Sequence, residues 1–169
     1  MNTHEQNLTS IKTYLEGIIA VCKGKIKHLE AYSKLILEQG KAFHEVVSSD
    51  SMEITKAWRK ARKPKIKECF YNSQLFVSTE VGEYYEGYCM DGLIPFHHGW
   101  VVIDGKVIDF TLEARDRSLK RQKMKNNANN AAYLGVMVPK CAIVENIVKF
   151  GVAEPIAQKH YLKSEARFL

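Results

Sequence analysis

The chain has only four cysteines, Cys22, Cys69, Cys89 and Cys141, and no CxxC pair among them. Zinc fingers and ribbons need paired ligands at short spacing, so a zinc site built from Cys69, Cys89, His97 and His98 has no such support, and no metal is expected. No apolar run approaches the roughly 20 residues that span a bilayer. The first residues, MNTHEQNLTSIKTYLEG, lack the basic start and apolar core of a secretory signal. These absences lead to the expectation of a cytoplasmic protein with reduced thiols and no membrane contact. Internal repeats, a long linker and any zinc-finger or RNA-binding signature are absent as well. Acids are missing from one stretch in particular. KAWRKARKPKIK carries Lys56, Arg59, Lys60, Arg62, Lys63, Lys65 and Lys67 with no carboxylate. A second stretch, RDRSLKRQKMK, holds Arg115, Arg117, Lys120, Arg121, Lys123 and Lys125 against Asp116 alone. With a net charge of +6, such clusters attract anionic partners, nucleic acid or an acidic protein among them. A solvated helix face is the plainer reading of the same residues.

What is present fits one domain. The 169 residues, 46% hydrophobic and 26% charged, suffice for a single core. Leu8, Ile11, Leu15, Ile18, Ile19 and Cys22 recur at helical spacing. Ile26, Leu29, Tyr32, Ile36 and Phe43 continue the pattern, with Gly17, Gly24 and Gly40 marking a kink or a break into two helices. SSDSMEITKAW predicts a turn and a helix start capped by Asp50 or Ser51. Residues 1–63 thus form an N-terminal helical region. After Pro64 come a helix in ECFYNSQLFVSTEV, a strand in EYYEGYCM, a hairpin in GWVVIDGKVIDF, a polar helix or loop through the asparagine-rich segment, and a strand in AYLGVMVP. Residues 64–140 form the core of the domain. Residues 141–169 are a C-terminal helical extension, in which KCAIVENIVKFG is a helix ended by Gly151. The fold class is α+β with a small antiparallel sheet.

The hairpin has a definite geometry. Asp104-Gly105 between apolar runs favours a two-residue type I′ turn. It pairs Ile103 with Lys106, Val102 with Val107, Val101 with Ile108 and Trp100 with Asp109. Side chains alternate between faces, so His98, Trp100 and Val102 share a face with Val107, Asp109 and Thr111, and His97 points the other way. His98 and Asp109 are then diagonal neighbours, roughly 7–8 Å apart at the backbone and within reach of each other's side chains. An aspartate there can fix one imidazole nitrogen and leave the other free as a base.

Cys69 opens a helical segment directly after a basic stretch. A helix N-terminus and nearby lysines both favour a thiolate. Cysteine with a histidine oriented by an acid is an arrangement for nucleophilic acyl chemistry, and the cysteine's own backbone N–H lies where an oxyanion would develop. ECFYNSQLFV, then YYEGYCMDGLIPFHHGWVVIDGKVIDFT, then YLGVMVP resembles the core of the papain-like and transglutaminase-like cysteine enzymes, over residues 64–140. His98-Gly99-Trp100 followed by Asp109 matches the His-x-Trp phrase and later acid of the transglutaminase branch. Phe110 stands where relatives often have proline, and no upstream glutamine matches the papain oxyanion donor. The resemblance implies a Cys-bearing helix packed on a small antiparallel sheet, with Cys69 as nucleophile, His98 as base and Asp109 as orienting acid. Asn72, Gln74 and Trp100 are candidates for oxyanion or supporting roles. It implies a thiol-dependent peptidase, amidase or deamidase, or an acyltransferase, acting through a thioester on a peptide, protein or small amide or ester, without a cofactor. The alternative is a non-catalytic binding module of the same fold that recruits nucleic acid or an acidic protein through its basic stretches. Tyr84, Tyr85, Tyr88 and Trp100 read as core rather than as a groove.

Overall fold

A computed structural model describes residues 3–92, 94–122, 131–151 and 154–165. The elements run α1 (Thr3–Cys22), α2 (Lys27–Gln39), β1 (Lys41–Phe43), α3 (Glu53–Arg62), α4 (Cys69–Thr79), β2 (Glu83–Met90), β3 (Phe96–Ile103), β4 (Lys106–Ile108), α5 (Phe110–Arg121), β5 (Ala132–Val138), α6 (Lys140–Phe150) and α7 (Ala157–Glu165). The strands form one antiparallel sheet in the order β1-β5-β2-β3-β4. The α+β expectation therefore holds, and among the described residues no helix is long and apolar enough to cross a membrane.

The N-terminal helical pattern breaks into α1 and α2 at Gly24, whose φ of 68° suits glycine. Phe43, read from its spacing as helical, lies instead in β1. Gly40 ends α2 in an extended conformation, and Lys41–Phe43 then pairs with β5. The expected caps of α3, Asp50 and Ser51, are not used. The N-cap is Met52, and Thr55 donates to the carbonyls of Ser49 and Met52 at the turn before the helix. The hairpin forms in the expected register, with Val101, Val102 and Ile103 opposite Ile108, Val107 and Lys106. Asp104 and Gly105 both have positive φ, as a type I′ turn requires. The second strand stops sooner than expected, and Phe110 and Thr111 belong to α5. The asparagine-rich segment, 123–130, lies outside the described residues. Gly151 ends α6 in the left-handed conformation, as its position in the sequence suggested.

Period-two alternation divides the sheet's side chains between two clusters. Tyr84, Tyr88, Val101, Leu134, Val136 and Val138 join Ile11, Leu15, Tyr32, Ile36, Phe76 and Val77 from α1, α2 and α4. Phe43, Tyr85, Cys89, Trp100, Val102, Val107 and Tyr133 form the opposite cluster, joined by Leu112 of α5. The aromatic strand β2 is core, as read: Tyr84, Tyr85 and Tyr88 are all buried.

One charged group sits inside the helix-covered face. Glu86 is fully buried on β2. One carboxylate oxygen accepts from the Tyr84 hydroxyl at 3.0 Å and from the backbone N–H groups of Ile156 and Ala157 at 2.8 and 3.2 Å, which caps the start of α7. The other faces His97 Nε2 at 3.4 Å and the Tyr32 hydroxyl at 3.5 Å. Glu86 thereby ties α2, β2, β3 and α7 together. Removing a buried carboxylate strands its donors, so Glu86→Ala is expected to cost about 3 kcal/mol in urea unfolding. A loss below about 0.5 kcal/mol, the range of ordinary surface substitutions, would contradict this role.

Candidate active site

The site forms where β4 ends. Pairing with β3 stops at Ile108 opposite Val101, so residues 96–100 of β3 have no partner strand on that side. Helix α4 packs there. Ser73 donates to the Gly99 carbonyl at 3.0 Å, and Phe70 and the Tyr84 hydroxyl crowd Gly99 so closely that a Cβ on it would collide. Asn72 donates to the Thr111 hydroxyl and to the Lys65 carbonyl, both at 2.8 Å, which locks the start of α4 to α5 and to the preceding loop. Cys69 is thus held at the first position of α4, next to β3. The N-cap residue, Glu68, makes no side-chain cap bond. The first N–H groups of the helix therefore lack that partner.

His98 and Asp109 meet as the register implied. His98 Nε2 lies 2.6 Å from Asp109 Oδ2, and both residues are buried. Asp109 is also the N-cap of α5. Its Oδ1 accepts from the N–H groups of Thr111 and Leu112 at 3.0 and 2.9 Å, and its Oδ2 accepts a further bond from the Tyr133 hydroxyl at 3.0 Å. Since Nε2 is committed to Asp109, Nδ1 is the nitrogen left over, and Cys69 contributes, after Asp109, to holding a proton on the ring. Trp100 supports the ring from the next position on that face, with planes 14° apart and centroids 6.5 Å apart. Its indole leans over Gly135, where a Cβ would strike the ring.

Cys69, His98 and Trp100 lie on the elements expected of them, whereas Asp109, expected on the second hairpin strand opposite Trp100, lies just past β4 as the N-cap of α5. Sequence reasoning does not foresee the use of Asn72 and Gln74. Asn72 is a brace, and the Gln74 amide nitrogen donates to the Tyr84 hydroxyl at 3.2 Å and the Glu154 carbonyl at 2.6 Å, so both amide donors are engaged away from the thiol. Tyr133, Ser73 and Thr111 escape a reading of the sequence because their partners come from other elements. Glu86 carries a signal: it is the one acid on the Tyr84–Glu86–Tyr88 face of an otherwise aromatic strand. His97 points to that face, as expected, and contacts Tyr32, Phe70 and Tyr88. Among the described residues no group of three or more His, Cys, Asp or Glu is arranged to hold a metal ion.

Burial alone lowers the His98 pKa. The charge and hydrogen bond of Asp109, joined by Cys69, outweigh it and raise the value from 6.5 to about 10. For Asp109, burial pushes the carboxyl up, but the His98 charge and hydrogen bond, then the Leu112 N–H and Tyr133 hydroxyl, bring it below its ordinary value. The native pair is therefore imidazolium and carboxylate.

Compared with known proteins, the chain matches no family model, no curated protein and no solved structure.

The pairing has a measurable consequence. Between pH 6.5 and about 10 the native His98 keeps a proton that the unfolded chain releases. Stability from this group is full below that window and declines as pH rises through it. Urea unfolding of the wild type is expected to weaken across this range more steeply than that of His98→Gln. Equal slopes would contradict the pairing.

Proposed function

We propose that this chain is a thiol-dependent acyl-transfer enzyme, with Cys69 as nucleophile, His98 as proton carrier and Asp109 as orienting acid. The observation that carries the reading is the buried His98–Asp109 pair, 2.6 Å apart, with the remaining imidazole nitrogen left to the thiol at a helix N-terminus. A Cys-bearing helix on an antiparallel sheet also supports placing the fold with the papain-like and transglutaminase-like enzymes.

The chemistry follows from the groups present. In the reacting form His98 carries the proton and the Cys69 sulfur acts as the thiolate. The sulfur attacks an amide or ester carbonyl, and charge develops on the carbonyl oxygen. The backbone N–H groups that open α4 are the donors assigned to that charge. The C–N or C–O bond breaks as His98 gives its proton to the departing amine or alcohol, and a thioester remains. Water then attacks the thioester and returns a proton to His98. The C–S bond breaks to release a carboxylic acid, and the thiolate is restored. This is hydrolysis, as in a peptidase, amidase or deamidase. An amine in place of water makes the same site a transferase. Asp109, saturated by hydrogen bonds, keeps the ring in one orientation throughout and stabilises its charged form.

Labelling tests the reading. Cys22, Cys69 and Cys89 are all buried and Cys141 is exposed, so the test protein carries Cys141→Ser and its labelling is compared with that of the same protein bearing Cys69→Ala. A weak acyl-mimicking electrophile is expected to label Cys69, and His98→Ala to slow that reaction by about 10²-fold, the low end for a positioned proton-transfer group. Equal rates with and without His98 would overturn it.

A further inference from the structure

The two basic stretches of the sequence each hold paired and unpaired cations in the folded chain. On α5, Arg115 pairs with Asp91 and Asp116, and Arg117 pairs with Glu113. Those two cations are neutralised within their own neighbourhood, whereas Lys120 and Arg121 in the last turn of α5 are exposed with no carboxylate partner among the described residues. In the first stretch Lys56 pairs with Glu53, Arg59 with Asp50, and Lys65 with Glu68 at 3.6 Å. Lys60, Arg62, Lys63 and Lys67 are all exposed and have no carboxylate partner among the described residues. They fall on the last turn of α3 and in the loop that leads into Cys69.

That loop is part of the site's framework. Its Lys65 carbonyl accepts from Asn72 on the first turn of α4, and Asn72 also holds Thr111, two residues after Asp109. Lys63 and Lys67 have φ of 51° and 68°, in the left-handed region that glycine occupies at less cost. Backbone preference therefore does not account for lysine at either position, and neither does an internal ion pair. Ile66 lies between them, 41% exposed, and adds an apolar contact to a cationic surface.

We propose that Lys60, Arg62, Lys63 and Lys67 form an anion-binding wall beside Cys69, and that the substrate is an acidic polypeptide segment whose side-chain carboxylates dock there while a carbonyl reaches the thiol. The assignment rests on Cys69 as the nucleophile. A thiolate acting through a thioester needs an acyl carbon, which a polypeptide offers and a phosphodiester backbone does not. Ile66 suits an apolar residue interspersed among acidic ones. The unpaired cations raise the local concentration of such a segment, and steering of this kind amplifies association by 10-fold or more at low ionic strength.

The test uses the full chain with Cys69→Ala, so that binding is read without turnover. A fluorescent glutamate-rich peptide, a lysine-rich peptide of equal length and a single-stranded oligonucleotide of equal charge are compared by anisotropy. The glutamate-rich peptide is expected to bind, and to weaken steeply with added salt. Lys63→Glu with Lys67→Glu should weaken it by about tenfold or more. Lys63→Gln with Lys67→Gln should fall between, with circular dichroism reporting the fold of each variant. Peptide affinity that ignores these substitutions overturns the proposal. So does an oligonucleotide that binds more than tenfold tighter than the peptide, which would make the wall a nucleic-acid surface. Normal, His98-dependent labelling of Cys69 together with charge-insensitive peptide binding removes this inference alone. Absence of that labelling removes the nucleophile, and with it the assignment of a substrate.

Discussion

A carboxylate taken out of water must have its charge and lone pairs met inside the protein, or the fold gives way around it. Asp109 accepts four hydrogen bonds: from His98, Tyr133, Thr111 N and Leu112 N. Together they tie down three parts of the chain. The backbone pair starts α5 and so ends β4. The tyrosine brings in β5 from across the sheet, and the histidine fixes the ring orientation on β3. With β4 ended there, β3 is open on that side, and α4 can dock with Cys69 at its tip. A single buried group thus sets the end of a strand, the start of a helix and the charge of the imidazole.

Much of this is local in the chain, and local features are the ones a sequence displays. Asp104-Gly105 defines a turn with its own backbone signature, and the turn defines the register. Alternation then puts His98, Trp100 and Asp109 on one face and His97 on the other. Only the extent of the second strand is misjudged. Phe110 and Thr111 look like a continuation of it because the capping role of Asp109 competes with its strand pattern, and in the folded chain the cap prevails. Phe43 is misjudged in the same way: its spacing matches a helix, while Gly40 and pairing with β5 make it a strand residue.

Interactions between distant segments are not visible in this manner. The bond from Tyr133 to Asp109 depends on the strand order β5-β2-β3, which alternation along single strands does not specify. Asn72 and Gln74 are amides close to the cysteine in sequence. Helical geometry turns them toward Thr111 and Tyr84, so both brace the framework. The basic stretches look alike as strings of letters, and only the fold shows that Arg115 and Arg117 of α5 have acids beside them, that Lys120 and Arg121 do not, and that the loop before Cys69 also carries cations without carboxylate partners. Glu86 is an intermediate case: an acid on an aromatic face signals a buried group, but its capping of α7 requires the tertiary structure.

The account stands on the protonated state of one ring. Nitrogen NMR of the His98 imidazole, followed through a pH titration, reads that state directly. The account predicts that both ring nitrogens stay protonated through neutral pH, with Nε2–H bonded to Asp109 and the titration displaced upward from 6.5 toward about 10. Titration at 6.5 or below, with a neutral ring at neutral pH, would contradict it.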